Sequence, residues 1–374
     1  MNWIWEQPEW PHFVWIQDEL NGLLRETIQI QGQLLGKAEA AGDDFNRQST
    51  LETLLHNIIS SSSIEDEELN VESVRSSLAR RLGLATGHSA QTTARTEGLA
   101  DLILDATGTI KAPLSMDRLF QWHRLLFPPG SVLPSHALRV GSLRGDFPMQ
   151  VVSGRLDQPT VHFQAPPMAG LEGQLAEFIQ WFNRSRVDPS VDPLIRAGLA
   201  HLWFVTLHPF EDGNGRLARA IADLALAQAE QRTIRLYSMS AAILKRRRDY
   251  YRILEASQRG TLDVTPWLLW FLGTLQVALK DSSTQIDGVL EKARFWRTHA
   301  GHSLIPAQVK VLNRLLEGGP DNFERGISAS QYESVTRVSK ATATRHLADL
   351  VGKGFLARTL GGGRSTRYHI PGQN

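Results

Sequence analysis

At 374 residues, 42% of them hydrophobic, the chain is long enough for two or three domains with cores of their own, which excludes general disorder. It has no cysteine, which removes disulfides, zinc knuckles and thiol catalysis; this suits a reducing compartment, so a cytoplasmic address is expected. The formal net charge is +1, so no whole-protein field points to nucleic acid, yet residues 337–369 carry seven Lys or Arg against Asp349 alone.

The opening "MNWIWEQPEWPHFVW" is rich in Trp and Pro and lacks the basic start and apolar run of a signal peptide. Helical spacing follows at Leu20, Leu23, Leu24 and Ile28, and again in "LETLLHNII". Directly after that segment stands "SSSSIEDEE", residues 60–68, with four hydroxyls and four carboxylates together. Its plain reading is a solvated helix start, because serine caps followed by acids are common there. Residues 1–90 are thus expected to form an N-terminal helical domain.

Residues 91–282 are mainly helical by the same periodicity, with one interruption. In "PMQVVSGRLDQPTVHFQAPP" two short β-type runs flank a Gly/Asp/Pro centre, which predicts a hairpin. "PLIRAGLAHLWFVTLH" places Ile195, Leu199, Leu202 and Thr206 on one helical face and ends at His208, where Pro209 stops continuation. The most apolar stretch, "PWLLWFLGTLQVAL", is too short to span a bilayer, and no membrane association is expected.

A linker helix is expected over 283–299 and a separate domain over 300–374. The latter reads as three helices and then two strands around a triple glycine, the order of a winged helix-turn-helix. A small domain for dimerisation or docking fits the same pattern, and the basic bias of the last helix and hairpin favours DNA.

The densest chemistry lies in "HPFEDGNGRLAR", residues 208–219. Gly213, Asn214 and Gly215 form a turn into the N-terminus of the next helix, where free backbone N–H groups and the helix dipole favour an anion. Arg216 and Arg219, three apart, can both reach phosphate oxygens. Asp212, with Glu211 as a second carboxylate, offers hard oxygen to Mg²⁺, and His208 has the reference pKa of a general base. A metal site of His201, His208 and Asp212 ranks lower, because Pro209 interrupts the helical face it would need. No Walker loop occurs.

The string resembles the signature of the Fic family, H-x-F-x-[DE]-G-N-G-R-x-x-R, at all eight specified positions. "MQVVSG" with "TVHFQAPP" is similar to that family's flap hairpin, and "RRRDYYRILEASQRG" to the helix lining its adenine pocket. The Trp-rich opening resembles an N-terminal domain that accompanies a subset of the family. The resemblance implies a mainly α, Fic-type helical core with a β-hairpin flap, and AMP transfer from ATP to a Ser, Thr or Tyr hydroxyl of a target protein, the chain itself included. By position, His208 would be the base, Asp212 would hold Mg²⁺, and Gly213, Asn214 and Gly215 would form the anion hole. Asn214 and Arg216 would contact phosphates, Arg219 would hold the γ-phosphate, and Tyr250 and Tyr251 would stand near the nucleoside. Val152, Ser153 and Gly154 would clamp the target by strand addition. Gln258 stands where the family often has asparagine.

One class of the family carries an inhibitory helix with the pattern [ST]-x-x-x-E-[GN]; Ser61 and Glu65 match it, with Arg219 as the inferred partner of Glu65, and Asp66 departs from the last position. The expectation is an autoinhibited AMP transferase, with a homodimer among its partners. Three alternatives stay open at this level: removal of AMP, transfer of another phosphate-linked group, and a DNA-binding regulator with a nucleotide-sensing core.

Overall fold

A computed structural model describes residues 3–84, 90–130, 138–155, 158–233, 235–317, 323, 326–359 and 366–372. The chain divides into two compact units, Met1–Ser282 and Ser283–Asn374. Among the described residues, no helix is long and apolar enough to cross a membrane.

The first unit opens with a short 3-10 turn, Ile4–Glu6, followed by α1 (Gln17–Ala41), α2 (Asp43–Ile64), α3 (Val71–Arg81), α4 (Ala94–Gly108) and α5 (Met116–Leu126). A hairpin of β1 (Gln150–Arg155) and β2 (Gln158–Gln164) comes next, antiparallel, with Val152 opposite Val161 and an irregularity between Val151 and Val152. Then follow α6 (Leu171–Arg184), α7 (Pro193–Leu207), α8 (Asn214–Glu230), α9 (Met239–Lys245), α10 (Arg247–Gln258) and α11 (Thr265–Thr298), the last running past the unit boundary. The fold is mainly α, as expected, with sheet confined to two-stranded hairpins among the described residues.

Local chemistry sets the ends of α7. Asp192 caps it by accepting from the backbone N–H of Leu194 at 2.8 Å, and Pro193 occupies the first turn, where its missing N–H costs nothing. The expected single apolar face proved too modest. Every residue from Leu194 to Leu207 is buried, because α7 is the central helix and is packed on all sides. Trp267 on α11 donates to the Gly198 carbonyl at 2.8 Å, and beside it a Cβ at position 198 would crowd Leu268 at 3.0 Å and Phe271 at 3.2 Å. Full burial of such large side chains contributes about 1.5–3 kcal/mol each, so α7 and α8 form a stiff base for whatever joins them.

The N-terminal tryptophans brace the hairpin. Trp3 meets Phe163 edge-on at 5.5 Å, and Trp5 donates to the Gln164 carbonyl at 2.7 Å. Arg259, stacked on Trp3 at 5.0 Å, also donates to the carbonyls of Val161 and His162.

In the second unit α12 (Pro306–Glu317), α13 (Ala329–Thr336) and α14 (Lys340–Gly352) precede a hairpin of β3 (Ala357–Arg358) and β4 (Tyr368–His369). Val311, Leu315, Tyr332, Leu347 and Phe355 share one core. Ser328 and Ser339 cap α13 and α14, accepting from Gln331 and Thr342. The triple glycine at 361–363 lies outside the described residues.

Candidate functional site

The loop from His208 to Gly213 joins the two most buried helices, and its shape is held by side chains pointing back into it. His208 ends α7 in the left-handed region, at φ 48° and ψ 55°. The Asn214 side chain makes two reciprocal bonds with Phe210, accepting from its N–H at 3.0 Å and donating to its carbonyl at 2.8 Å. That carboxamide is buried and occupied, so what Asn214 offers an anion is its backbone N–H. Gly213 has φ +81°, and a Cβ there would come within 2.5 Å of Leu126. Both facts require glycine at that position.

Two further residues hold the loop, and sequence reading missed both. His123 on α5 accepts from the Gly141 N–H at Nδ1 (2.9 Å), which leaves its Nε2–H to donate to the Asp212 carbonyl at 3.2 Å. Its ring stacks on Phe210 at 4.2 Å, and burial lowers its pKa to about 4. Arg144, also buried, donates to the His208 carbonyl at 2.9 Å and to the Pro166 carbonyl at 2.5 Å, tying the loop to the chain that leaves the hairpin. No local pattern marks these contacts, which join residues far apart in sequence.

His208 donates from Nδ1 to the Val205 carbonyl at 3.2 Å, so Nε2 is the basic nitrogen. Burial, aided by the charge of Arg144, lowers its pKa to about 4 against the opposing pull of the Val205 carbonyl, Glu65 and Asp212. The ring is therefore neutral near pH 7 and able to accept a proton.

His208, Gly215, Glu65, Tyr251, Gln258 and the flap residues Val152 and Ser153 line one cleft of about 840 Å³. That is ample for a nucleotide-sized ligand. Tyr250 also borders it, but the ring is buried and its hydroxyl is 3.0 Å from Nε2 of His201. His201 is thus a core residue, away from any metal role, and among the described residues no group of three or more metal-binding side chains occurs. Gln258 is buried and donates to Thr206 at 3.3 Å. On the flap, Ser153 pairs with His162 at 2.5 Å, His162 with Glu255 at 2.8 Å, and Gly154 adopts φ +91°.

The run "SSSSIEDEE" does not start a helix, as its plain reading had it. Ser60–Ser63 lie in the last turns of α2, and the acids close the helix. The closure is a Schellman cap: the N–H of Glu67 bonds the Ser62 carbonyl at 3.0 Å, that of Asp66 bonds the Ser63 carbonyl at 3.2 Å, and Asp66 sits at φ 58°. A left-handed residue is favoured as Gly or Asn, and Asp is the next most tolerant, so the departure at position 66 is accommodated without changing the turn. Carboxylates at a helix C-terminus face the unfavourable end of the dipole. Arginines compensate. Arg219 donates to the Ser61 hydroxyl, the Ser61 carbonyl and Glu65, at 2.9, 2.9 and 2.8 Å. Arg247 grips Asp66 with both terminal nitrogens, at 2.7 and 2.6 Å, and lies over the Tyr251 ring. Tyr251 in turn donates to the Ile64 carbonyl at 2.9 Å.

Glu65 lies against the N-terminus of α8. A Cβ on Gly215 would come within 2.4 Å of its Oε1, so only glycine admits the carboxylate so closely. Burial would raise the Glu65 pKa, yet the charge and hydrogen bond of Arg219, with Arg216 and Tyr251, hold it below the usual carboxylate value. The carboxylate is ionised at neutral pH and occupies an anion position.

Residues 113–226 match the model of the Fic/DOC family, and residues 3–84 match a domain of unknown function, DUF4172. Protein adenylyltransferase fic-1 of Caenorhabditis elegans is 28% identical over 149 residues, 40% of this chain and 25% of that protein. A uridine 5'-monophosphate transferase of Xanthomonas campestris pv. campestris (strain 8004) is 28% identical over 127 residues, 31% of this chain and 21% of that protein. The chain thus spans about a quarter of the length of either relative or less. A crystal structure of a Fic family protein from Desulfovibrio desulfuricans G20 superposes with a TM-score of 0.55 at 22% identity, covering 96% of this chain and 98% of that one, which establishes a shared fold. The signature loop, the helical core around it and the match over residues 113–226 agree: this part of the chain is similar to the Fic/DOC family, and the fold is shared with a Fic family protein.

Proposed function

We propose that the protein transfers AMP from ATP to a hydroxyl of a protein, and that the end of α2 restrains the reaction. The observation that carries this reading is the Glu65 carboxylate held by Arg219 against Gly215, in the cleft that His208 also lines. A built-in anion beside a neutral histidine supports reading the spot as a phosphate position and Glu65 as its block.

In the open site the target's backbone would add to the exposed Val151–Val152 edge of the flap, with Ser153 and Gly154 continuing the strand. His208 Nε2 would take the hydroxyl proton as the oxygen attacks the α-phosphorus; the bond to the bridging oxygen breaks and pyrophosphate leaves. The first-turn N–H groups of α8, from Gly213 through Gly215, and the guanidiniums of Arg216 and Arg219 would take up the phosphate charge. Tyr251 and the buried Tyr250 would flank the nucleoside end. Asp212, half exposed and 3.4 Å from Arg216, suits a Mg²⁺ that arrives with the phosphates, where the ion would neutralise their charge.

The Caenorhabditis elegans relative is named an adenylyltransferase and the Xanthomonas one a uridine monophosphate transferase, so the transferred nucleotide is the point to test. Incubation with labelled ATP or UTP and mass spectrometry of the products decides it. An AMP adduct that disappears in His208→Ala is expected, and a UMP adduct alone overturns the choice of nucleotide. Removal of AMP by the same site is read from loss of the adduct on a pre-labelled protein.

The exposed Lys340 and Arg345 of α14 favour a second role for the C-terminal unit as a DNA contact. Sequence-selective, salt-dependent binding that survives His208→Ala is the expected sign.

A further inference from the structure

Glu67, two residues past Glu65, makes a separate set of contacts. Its carboxylate accepts from Nε and Nη2 of Arg95 on α4, at 2.8 and 2.7 Å, and from Nη1 of Arg216 at 2.6 Å. The Arg95 and Arg216 side chains are only 16% and 9% exposed, and both guanidiniums lie against the Phe127 ring, at 5.4 and 5.1 Å. Nη1 of Arg95 and Nε of Arg216 are buried with no partner among the described residues. Two neighbouring buried cations therefore share Glu67, with Asp212 touching Arg216 from the other side at 3.4 Å, and donors remain unused. A buried unpaired donor is costly, and a group with more acceptor oxygens than one carboxylate would satisfy this pair better.

We propose that Arg95 joins Arg216 in a subsite for the polyphosphate of the nucleotide, and that Glu67 plugs it as a second block, independent of Glu65 on Arg219. The proposal rests on the nucleotide reading above. Arg95 lies outside the signature loop and comes from a different helix, so the subsite joins α4 to α8 across Phe127. Glu67→Gln removes the charge with little change of shape, and the two arginines then present their full charge to the ligand.

The test is equilibrium binding of ATP and of adenosine to the full chain. Glu67→Gln should bind ATP about tenfold more tightly, with adenosine unchanged, because only the phosphate end is freed. Adding Arg95→Gln to that variant should return ATP binding to the starting level or below. Unchanged ATP affinity in Glu67→Gln, alongside tighter binding in Glu65→Gly, overturns the proposal and leaves the nucleotide site standing. If Glu67→Gln does not fold, Arg95→Gln in the Glu65→Gly chain should weaken ATP binding about tenfold and spare adenosine; equal ATP affinity overturns the proposal there too. No ATP binding by any variant, Glu65→Gly included, overturns the nucleotide reading and the subsite together.

Discussion

The two sides of the cleft are built differently. On the α7–α8 side, His123, Arg144 and Asn214 fix the loop through bonds to main-chain atoms, inside a core that cannot yield without unpacking. On the α2 side, Glu65, Asp66 and Glu67 are held by side-chain ion pairs at a helix end, and Glu65 and Asp66 stay substantially in contact with water. A frame made of backbone bonds keeps its geometry whatever binds, whereas a plug made of charge pairs can be exchanged for another anion. On the reading proposed above, the first side would be the tool and the second the guard.

The largest effect expected is on the tool. His208→Ala should lower ATP-dependent labelling by at least about 10²-fold, with the fold intact by circular dichroism. Substantial residual labelling would move the base elsewhere and end the comparison. Next, Glu65→Gly should raise labelling roughly tenfold or more, since a charge-assisted bond is worth about 1.5–3 kcal/mol and Glu65 is partly solvated. Equal rates in variant and parent would mean that the guard does not guard.

Acid should separate the sides further. His123 and His201 are buried, and burial lowers their pKa values to about 4 and about 3. Unfolded histidine takes up its proton near pH 6.5, so as pH falls from there toward 4 the unfolded state binds protons that the folded state refuses. Stability then drops, by up to about 1.4 kcal/mol per pH unit for each histidine. Melting temperature measured across that range checks the sign; a flat profile would show that neither ring is held neutral. Because the pKa of His208 is also lowered, to about 4, the labelling rate should stay level from pH 8 to about 6, and an acid limb near 6.5 would contradict its burial.

The smallest effect expected is that of Asp66→Gly. Glycine relieves the left-handed backbone at φ 58°, while the exposed pair with Arg247 is lost. The two changes oppose each other, and the melting temperature should move by no more than a few degrees. A large rise in labelling would promote Asp66 from cap to guard.

The tool was legible in sequence because it is local. His208 through Arg219 spans twelve residues, and the helix ends, glycines and arginine spacing all follow from short-range rules. The hairpin was equally plain from its alternation and turn residues. The guard was half legible: one glutamate found its arginine through a pattern, while Glu67 on Arg95 and Arg216, and Arg247 on Asp66, join positions 28 to 181 residues apart that carry no local mark. The acids read as a helix start, the wrong end, because serines serve a cap at the start and sit equally well in a final turn. His123 and Arg144 stayed hidden for a related reason, since a histidine in an amphipathic helix and an arginine in a loop say nothing of the carbonyls they reach.

The Schellman cap on α2 has a consequence for opening. Main-chain bonds from Asp66 and Glu67 to Ser63 and Ser62 fix the backbone of the turn, while each of the three carboxylates keeps partners of its own: Arg219, Arg247, and the pair of Arg95 and Arg216. On the reading proposed above, an incoming phosphate would displace a carboxylate by side-chain rotation and leave the turn in place. Opening would then go carboxylate by carboxylate at a fixed helix end, without unwinding α2.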